Sequence, residues 1–132
     1  MSKKKMNGIE FKTDIPDDGL WDEAGELVTR PGGMALSDAI ASLLEEGDIR
    51  VSDPDMDLEH ESWDFEVDWN GARFRVQVMH FDVCMVVVHG GPWLLERLIF
   101  RNVPRREDLT EHIAALFDRD PRFSEVKLFK AY

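Results

Sequence analysis

Only one cysteine, Cys84, occurs in the 132 residues. An intrachain disulfide is thereby excluded, and a reducing, cytoplasmic setting is the expectation. No apolar run approaches the roughly 20 residues that cross a bilayer as a helix, so no membrane association is expected. Basic residues are scarce: 16 Lys and Arg stand against 27 Asp and Glu, a formal net charge of −11. Phosphate contacts need a basic face, so nucleic acid is not an expected partner. A phosphate-binding loop is missing as well. Gly90-Gly91-Pro92-Trp93 lacks the glycine spacing and the Lys-Ser/Thr tail of such a loop, and it reads as a turn. The opening eight residues hold three lysines with no apolar stretch behind them. They read as a frayed, disordered tail and not as a secretory signal. Repeats, low-complexity tracts and domain boundaries are all lacking, so one domain over 1–132 is expected.

The best-determined stretch runs from Ser62 to His80. Trp63, Phe65, Val67 and Trp69 alternate with Asp64, Glu66 and Asp68. Alternation at period two predicts a strand with an apolar and an acidic face. Asn70-Gly71 follows, the strongest signal for a type I′ turn, which needs positive φ at both positions. Phe74, Val76 and Val78 then alternate with Arg73, Arg75 and Gln77. A two-residue turn places Val67 against Phe74, Phe65 against Val76 and Trp63 against Val78. On the other face Asp68 meets Arg73 and Glu66 meets Arg75, so pattern, turn and charge agree on one register.

Around this hairpin the spacing predicts two helices. The first covers about 35–46, with Leu36, Ile40, Leu43 and Leu44 on one stripe, Ser37 as N-cap and Gly47 as stop. The second covers about 106–119, with Leu109, Ile113, Leu116 and Phe117 on one stripe. Ile9 to Ile15 reads as a short edge strand and Leu20 to Thr29 as a brief helix. Ile49 to Val51 and the end of the chain from Val126 add short strands. Val83 to His89 is apolar on both faces, as a central strand should be. Leu94 to Arg101 reads as the next strand of the meander. The fold class is α+β: a mainly antiparallel, meandering sheet of four or more strands, with both helices packed on one face.

Several side chains are candidates for chemistry. Acids fall at Asp53, Asp55, Asp57, Glu59, Glu61 and Asp64, a spacing that resembles an EF-hand calcium loop over twelve residues. Leu58 stands where the sharp turn needs Gly, and Asp64 where a bidentate Glu belongs, so a solvated acidic loop is the expectation and no metal or other cofactor is expected. His80, Cys84, His89 and His60 are potential zinc ligands or a nucleophile with its base. If Phe81-Asp82 is a two-residue turn, Phe74 faces His89 and Met79 faces Cys84, and these groups do not converge. The hairpin register does set Glu61 opposite His80, which makes them the best acid–base pair in the chain. Trp63 and Trp69 belong to the aromatic face, as core or as the wall of a pocket between sheet and helix. The same two-residue turn leaves Met79, Cys84, Val86 and Val88 as an apolar strip on the outer face. Either the N-terminal 30 residues or a second copy of the chain, in a homodimer, would cover it.

Charge is distributed unevenly. Residues 1–68 hold 19 acids and 6 bases, a net of −13, while residues 69–132 hold 8 acids and 10 bases. With no converging catalytic set in the sequence, the expected function is a small acidic, non-catalytic module that binds another protein, a basic one by charge. Secretion chaperones, antitoxins and immunity proteins share this composition. The alternative is a small-molecule-binding or hydrolytic domain that uses a pocket near Trp63, Trp69 and His80.

Overall fold

The computed structural model describes residues 6–47, 49–92 and 103–131. The elements are β1 (Gly8–Thr13), β2 (Leu20–Trp21), β3 (Val28–Arg30), α1 (Met34–Glu45), β4 (Arg50–Val51) and β5 (Asp55–Asp57). They continue with β6 (Ser62–Trp69), β7 (Ala72–Met79), β8 (Cys84–Gly90), α2 (Arg106–Asp118) and β9 (Phe123–Phe129). Among the described residues seven strands form one antiparallel sheet in the order β4-β6-β7-β8-β1-β9, with β5 on the same edge of β6 as β4. Both helices lie on one face. Leu36, Ile40 and Leu44 of α1, and Leu109, Ile113 and Phe117 of α2, join one buried cluster with Phe65, Val76, Val86 and Ile9. This is the α+β fold with a meandering antiparallel sheet that the periodicity predicts.

The hairpin has the expected register, from Trp63 opposite Val78 to Trp69 opposite Ala72. Asn70 and Gly71 take φ of 48° and 86°, the type I′ geometry. Asp68 accepts from Arg73 at 3.0 Å. Arg75 passes over its direct opposite, Glu66, and reaches diagonally to Asp64 at 2.8 Å. A Cβ at Gly71 would meet nothing within 4 Å, so the constraint there is the backbone alone. Gly71→Val should therefore destabilise by about 1–2 kcal/mol, the cost of left-handed backbone in a β-branched residue. An unchanged urea midpoint would show the turn to be dispensable.

The next turn departs from expectation. Met79 pairs with Met85 and Phe74 with Gly90, one residue out of the register that a Phe81-Asp82 turn implies. The connection spans four residues, His80 to Val83, between the strand ends. A one-residue slip turns every side chain to the other face. Cys84, Val86 and Val88 consequently face the helices and are buried, and of the expected outer strip only Met79 stays on the outer side. Sheet neighbours are now Met85, Val87 and His89.

Three other elements differ. β1 lies inside the sheet, between β8 and β9, and not at an edge. Its entry is clamped by Asn7, which is fully buried. Asn7 Nδ2 donates to the Val88 carbonyl and its Oδ1 accepts from Ala131 N–H. Residues 6–8 of the expected tail are therefore placed, and residues 1–5 lie outside the described residues. The stretch 20–29 is the β2–β3 hairpin and no helix, because Gly25 turns at φ 71° and Asp22 binds both the Gly25 and Glu26 amides. Both edges of β8 are taken, by β7 and β1. The strand expected over Leu94 to Arg101 lies outside the described residues.

The far edge is β9. Glu125 there is a bulge residue, at φ 51°, and it pairs with Lys12 at 2.9 Å. Bulges and charges of this kind blunt an edge against pairing with another chain.

Candidate functional site: an acidic groove at the sheet edge

Two short strands share the free edge of β6. β4 pairs Arg50 and Val51 with Asp68 and Val67. β5 pairs Asp55, Met56 and Asp57 with Asp64, Trp63 and Ser62. Between them Ser52 staples the chain to the edge: its N–H donates to the Glu66 carbonyl at 2.9 Å, and its Oγ accepts from Glu66 N–H at 2.8 Å. A groove of about 580 Å3 opens beside this segment and the edge of β6.

Five carboxylates line this groove, from Asp53, Asp55, Asp57, Asp64 and Glu66, with Arg75 as its one basic residue. Two of the five are held in ion pairs, and Asp55 Oδ1 accepts from the Met56 amide at 3.1 Å. Asp64 holds Arg75, and Asp57 accepts from His60 Nδ1 at 2.8 Å. That hydrogen bond, with the accompanying attraction, keeps the Asp57 carboxyl below its ordinary range and holds His60 above its own. Asp53, Asp55 and Glu66 form no ion pair among the described residues. Met56 and Leu58 add apolar surface to the wall, 44% and 49% exposed. The groove combines strong negative potential with two adaptable apolar side chains, a surface suited to Lys or Arg heads on apolar stems.

The calcium spacing does not become a loop. Asp55 and Asp57 sit on the extended strand β5, paired with Asp64 and Ser62 of β6. No group of three His, Cys, Asp or Glu side chains is arranged for a metal among the described residues.

The histidines and the cysteine are dispersed. Cys84 is buried under the helices and its thiol points to the Phe81 carbonyl at 3.7 Å. Burial pushes its pKa up, which disfavours the thiolate a nucleophile needs. His89 donates to Gln77 Oε1 at 2.9 Å on the outer face, and burial with Arg75 nearby pushes its pKa down. His80 Nε2 lies 2.7 Å from the Ile15 carbonyl. Glu61 and His80 line one small cavity, but neither a hydrogen bond nor an ion pair joins them. Each tryptophan of the aromatic face has a structural task. Trp63 is nearly buried and donates to the Pro31 carbonyl at 2.9 Å. Trp69 stacks on His112 of α2 at 5.3 Å. Neither lines the cavity that reaches His80.

The acids of the groove are visible in the sequence as the run from Asp53 to Glu61. Their assembly with Asp64 and Glu66 is not, because it depends on β5 folding back on β6. Compared with protein-family models, with curated proteins and with solved structures, the chain matches none.

Proposed function

We propose that this chain is a small acidic interaction module that holds a basic segment of another protein in the groove beside β5. The observation that carries this reading is the lining of the groove: five carboxylates against one arginine, with Met56 and Leu58 exposed among them. Complementary charge of this kind chiefly sets encounter rate and partner choice, and it weakens as salt is added. The uneven charge of the sequence supports the same reading, since the groove falls in the half of net −13.

The test uses a labelled peptide of alternating arginine and leucine and reads fluorescence anisotropy. Saturable binding at low salt is expected, about tenfold weaker once ionic strength exceeds that of physiological buffer. The variant Asp53→Asn, Asp55→Asn, Glu66→Gln removes the three charges that form no ion pair, at solvent-facing positions. It should bind about tenfold more weakly with an unchanged melting temperature. Equal binding by a folded triple variant, or no saturable binding by the parent, overturns the proposal.

A further inference from the structure

A second groove, of about 550 Å3, lies between α2 and β9 and shares no residue with the acidic groove. Its place follows from how the helices sit on the sheet. α1 packs against β4 and β6, and α2 against β8, β1 and β9. β9 is the edge strand on that side among the described residues. Its Val126 and Leu128 pack against the core cluster and yet remain only partly buried. Met6, at the entry to β1, and Ala115 of α2 are half-buried in the same way and line the groove with them. An apolar sheet face is normally covered by helix, and here its margin is left open.

Charge on this groove is of one sign. Glu111 and Asp118 are its charged residues, both exposed, and neither forms an ion pair among the described residues. They stand seven residues apart on α2, two turns and roughly 10 Å along its axis. Asp118 ends the helix, whose last turn has no basic residue. An acid at that end opposes the helix dipole, so a cation supplied from outside is favourable there. Between the two acids the same face carries Ala114 and Ala115, which are small enough for another helix to approach closely.

We infer that this groove receives an amphipathic helix of another protein, apolar on the face it presents and carrying Lys or Arg seven residues apart. The cations meet Glu111 and Asp118. The apolar residues between them cover Ala115, Val126 and Leu128, and the bound helix continues the helical layer beyond α2. An extended segment is disfavoured, because the bulge at Glu125 and its pair with Lys12 blunt the β9 edge. A second copy is disfavoured as well, since two α2 helices packed through this face would bring acids against acids.

The probe is a synthetic alanine-rich peptide with leucine pairs set between lysines seven residues apart. It is titrated into the full chain and followed by NMR at the Ala114 and Ala115 amides and the Val126 and Leu128 methyls. Saturable shifts are expected at these residues. The same peptide with Glu for Lys, or with a central Pro that breaks the helix, should bind at least about tenfold more weakly. Ala115→Arg, which fills the groove, should weaken the parent peptide by about tenfold or more with an unchanged circular dichroism spectrum. Glu111→Gln with Asp118→Asn should weaken it by about tenfold with no loss of melting temperature. The variant Asp53→Asn, Asp55→Asn, Glu66→Gln should leave these shifts unchanged, so failure at one groove is read separately from failure at the other. The proposal is overturned if no saturable shift occurs at these residues, or if the proline peptide binds as well as its parent. It is overturned equally if the shifts follow protein concentration alone, which assigns the face to a second copy. Binding that requires removal of residues 1–5 assigns the groove to the start of the chain itself, and also overturns it.

Discussion

Phe117→Ala is expected to cost about 3–5 kcal/mol, the range for deleting a fully buried phenylalanine ring. Phe117 has no exposed surface. Its ring stacks on Phe123 with centroids 4.1 Å apart and planes 5° apart, and it tilts against Phe11 at 4.8 Å. Phe11 and Phe123 also meet edge-on at 5.6 Å. Three aromatic rings from β1, α2 and β9 therefore close one corner of the core, and each stabilises the other two. Removal leaves a cavity that two rigid rings cannot collapse to fill, so the loss should lie toward the upper end. A domain of this size is stable by roughly 5–15 kcal/mol in total. The variant should thus show a much lower urea midpoint with an unchanged slope. Phe117→Leu, which fills most of the space, should cost about a third as much. A loss under about 1 kcal/mol for the alanine variant would mean that the three rings do not pack as described.

Asp18→Ala has the second largest expected effect. The N-cap of helix α1 is Gly33, whose φ of 109° suits glycine and which has no side chain to cap the helix. Asp18, fifteen residues earlier, supplies the missing acceptor. Its Oδ1 accepts from the Gly33 and Met34 amides at 3.0 and 3.1 Å, and its Oδ2 from the Ala35 amide at 2.9 Å. Three of the donors at the first turn are satisfied by one carboxylate. A lost cap costs about 0.5–2 kcal/mol, and loss of a charge at the positive end of the helix adds about 0.3–1 kcal/mol.

The pH dependence gives this prediction a signature. Partial burial works to raise the pKa of Asp18, but the bonds from Ala35, Gly33 and Met34 outweigh it and the net direction is down. A carboxyl whose folded pKa is depressed stabilises the fold above its unfolded pKa, about 3.9, and that contribution vanishes as pH falls through the lower folded value. The parent should lose stability over this acid range. Asp18→Asn should start less stable at neutral pH and lose less on acidification. Parallel acid limbs in urea midpoints measured against pH would sink the capping role.

Much of the fold is legible where several local signals coincide. From Ser62 to Met79 the alternation, the Asn-Gly turn and the charge ladder each specify one register, and no distant residue is needed. Both helices are legible for the same reason: Leu36, Ile40 and Leu44, or Leu109, Ile113 and Phe117, repeat at helical spacing. Phe81-Asp82 carries no such redundancy. Neither residue demands a particular turn, and a single residue of slip moved Cys84, Val86 and Val88 from the outer face to the core. Leu20, Ala24 and Leu27 suit a helix by spacing, yet Gly25 and the Asp22 side chain turn the chain first. Ser37 reads as a cap but is buried, and its hydroxyl donates back to the Gly33 carbonyl at 2.6 Å. The true cap, Asp18, has no local signature, because its partners are brought to it by the β2–β3 hairpin. For the groove, the run of acids was legible and its shape was not: the stretch reads as a solvated acidic loop, whereas pairing of β5 with β6 makes it one wall of a groove.

The place of β1 between β8 and β9 also governs the order in which the sheet can close. Ile9 pairs with Val86 on one side and with Leu128 on the other. In sequence β1 precedes every other strand of the sheet, yet its two partners, β8 and β9, come latest. Pairings over such separations form slowly, and the exposed apolar edge is open to contact with other chains in the meantime.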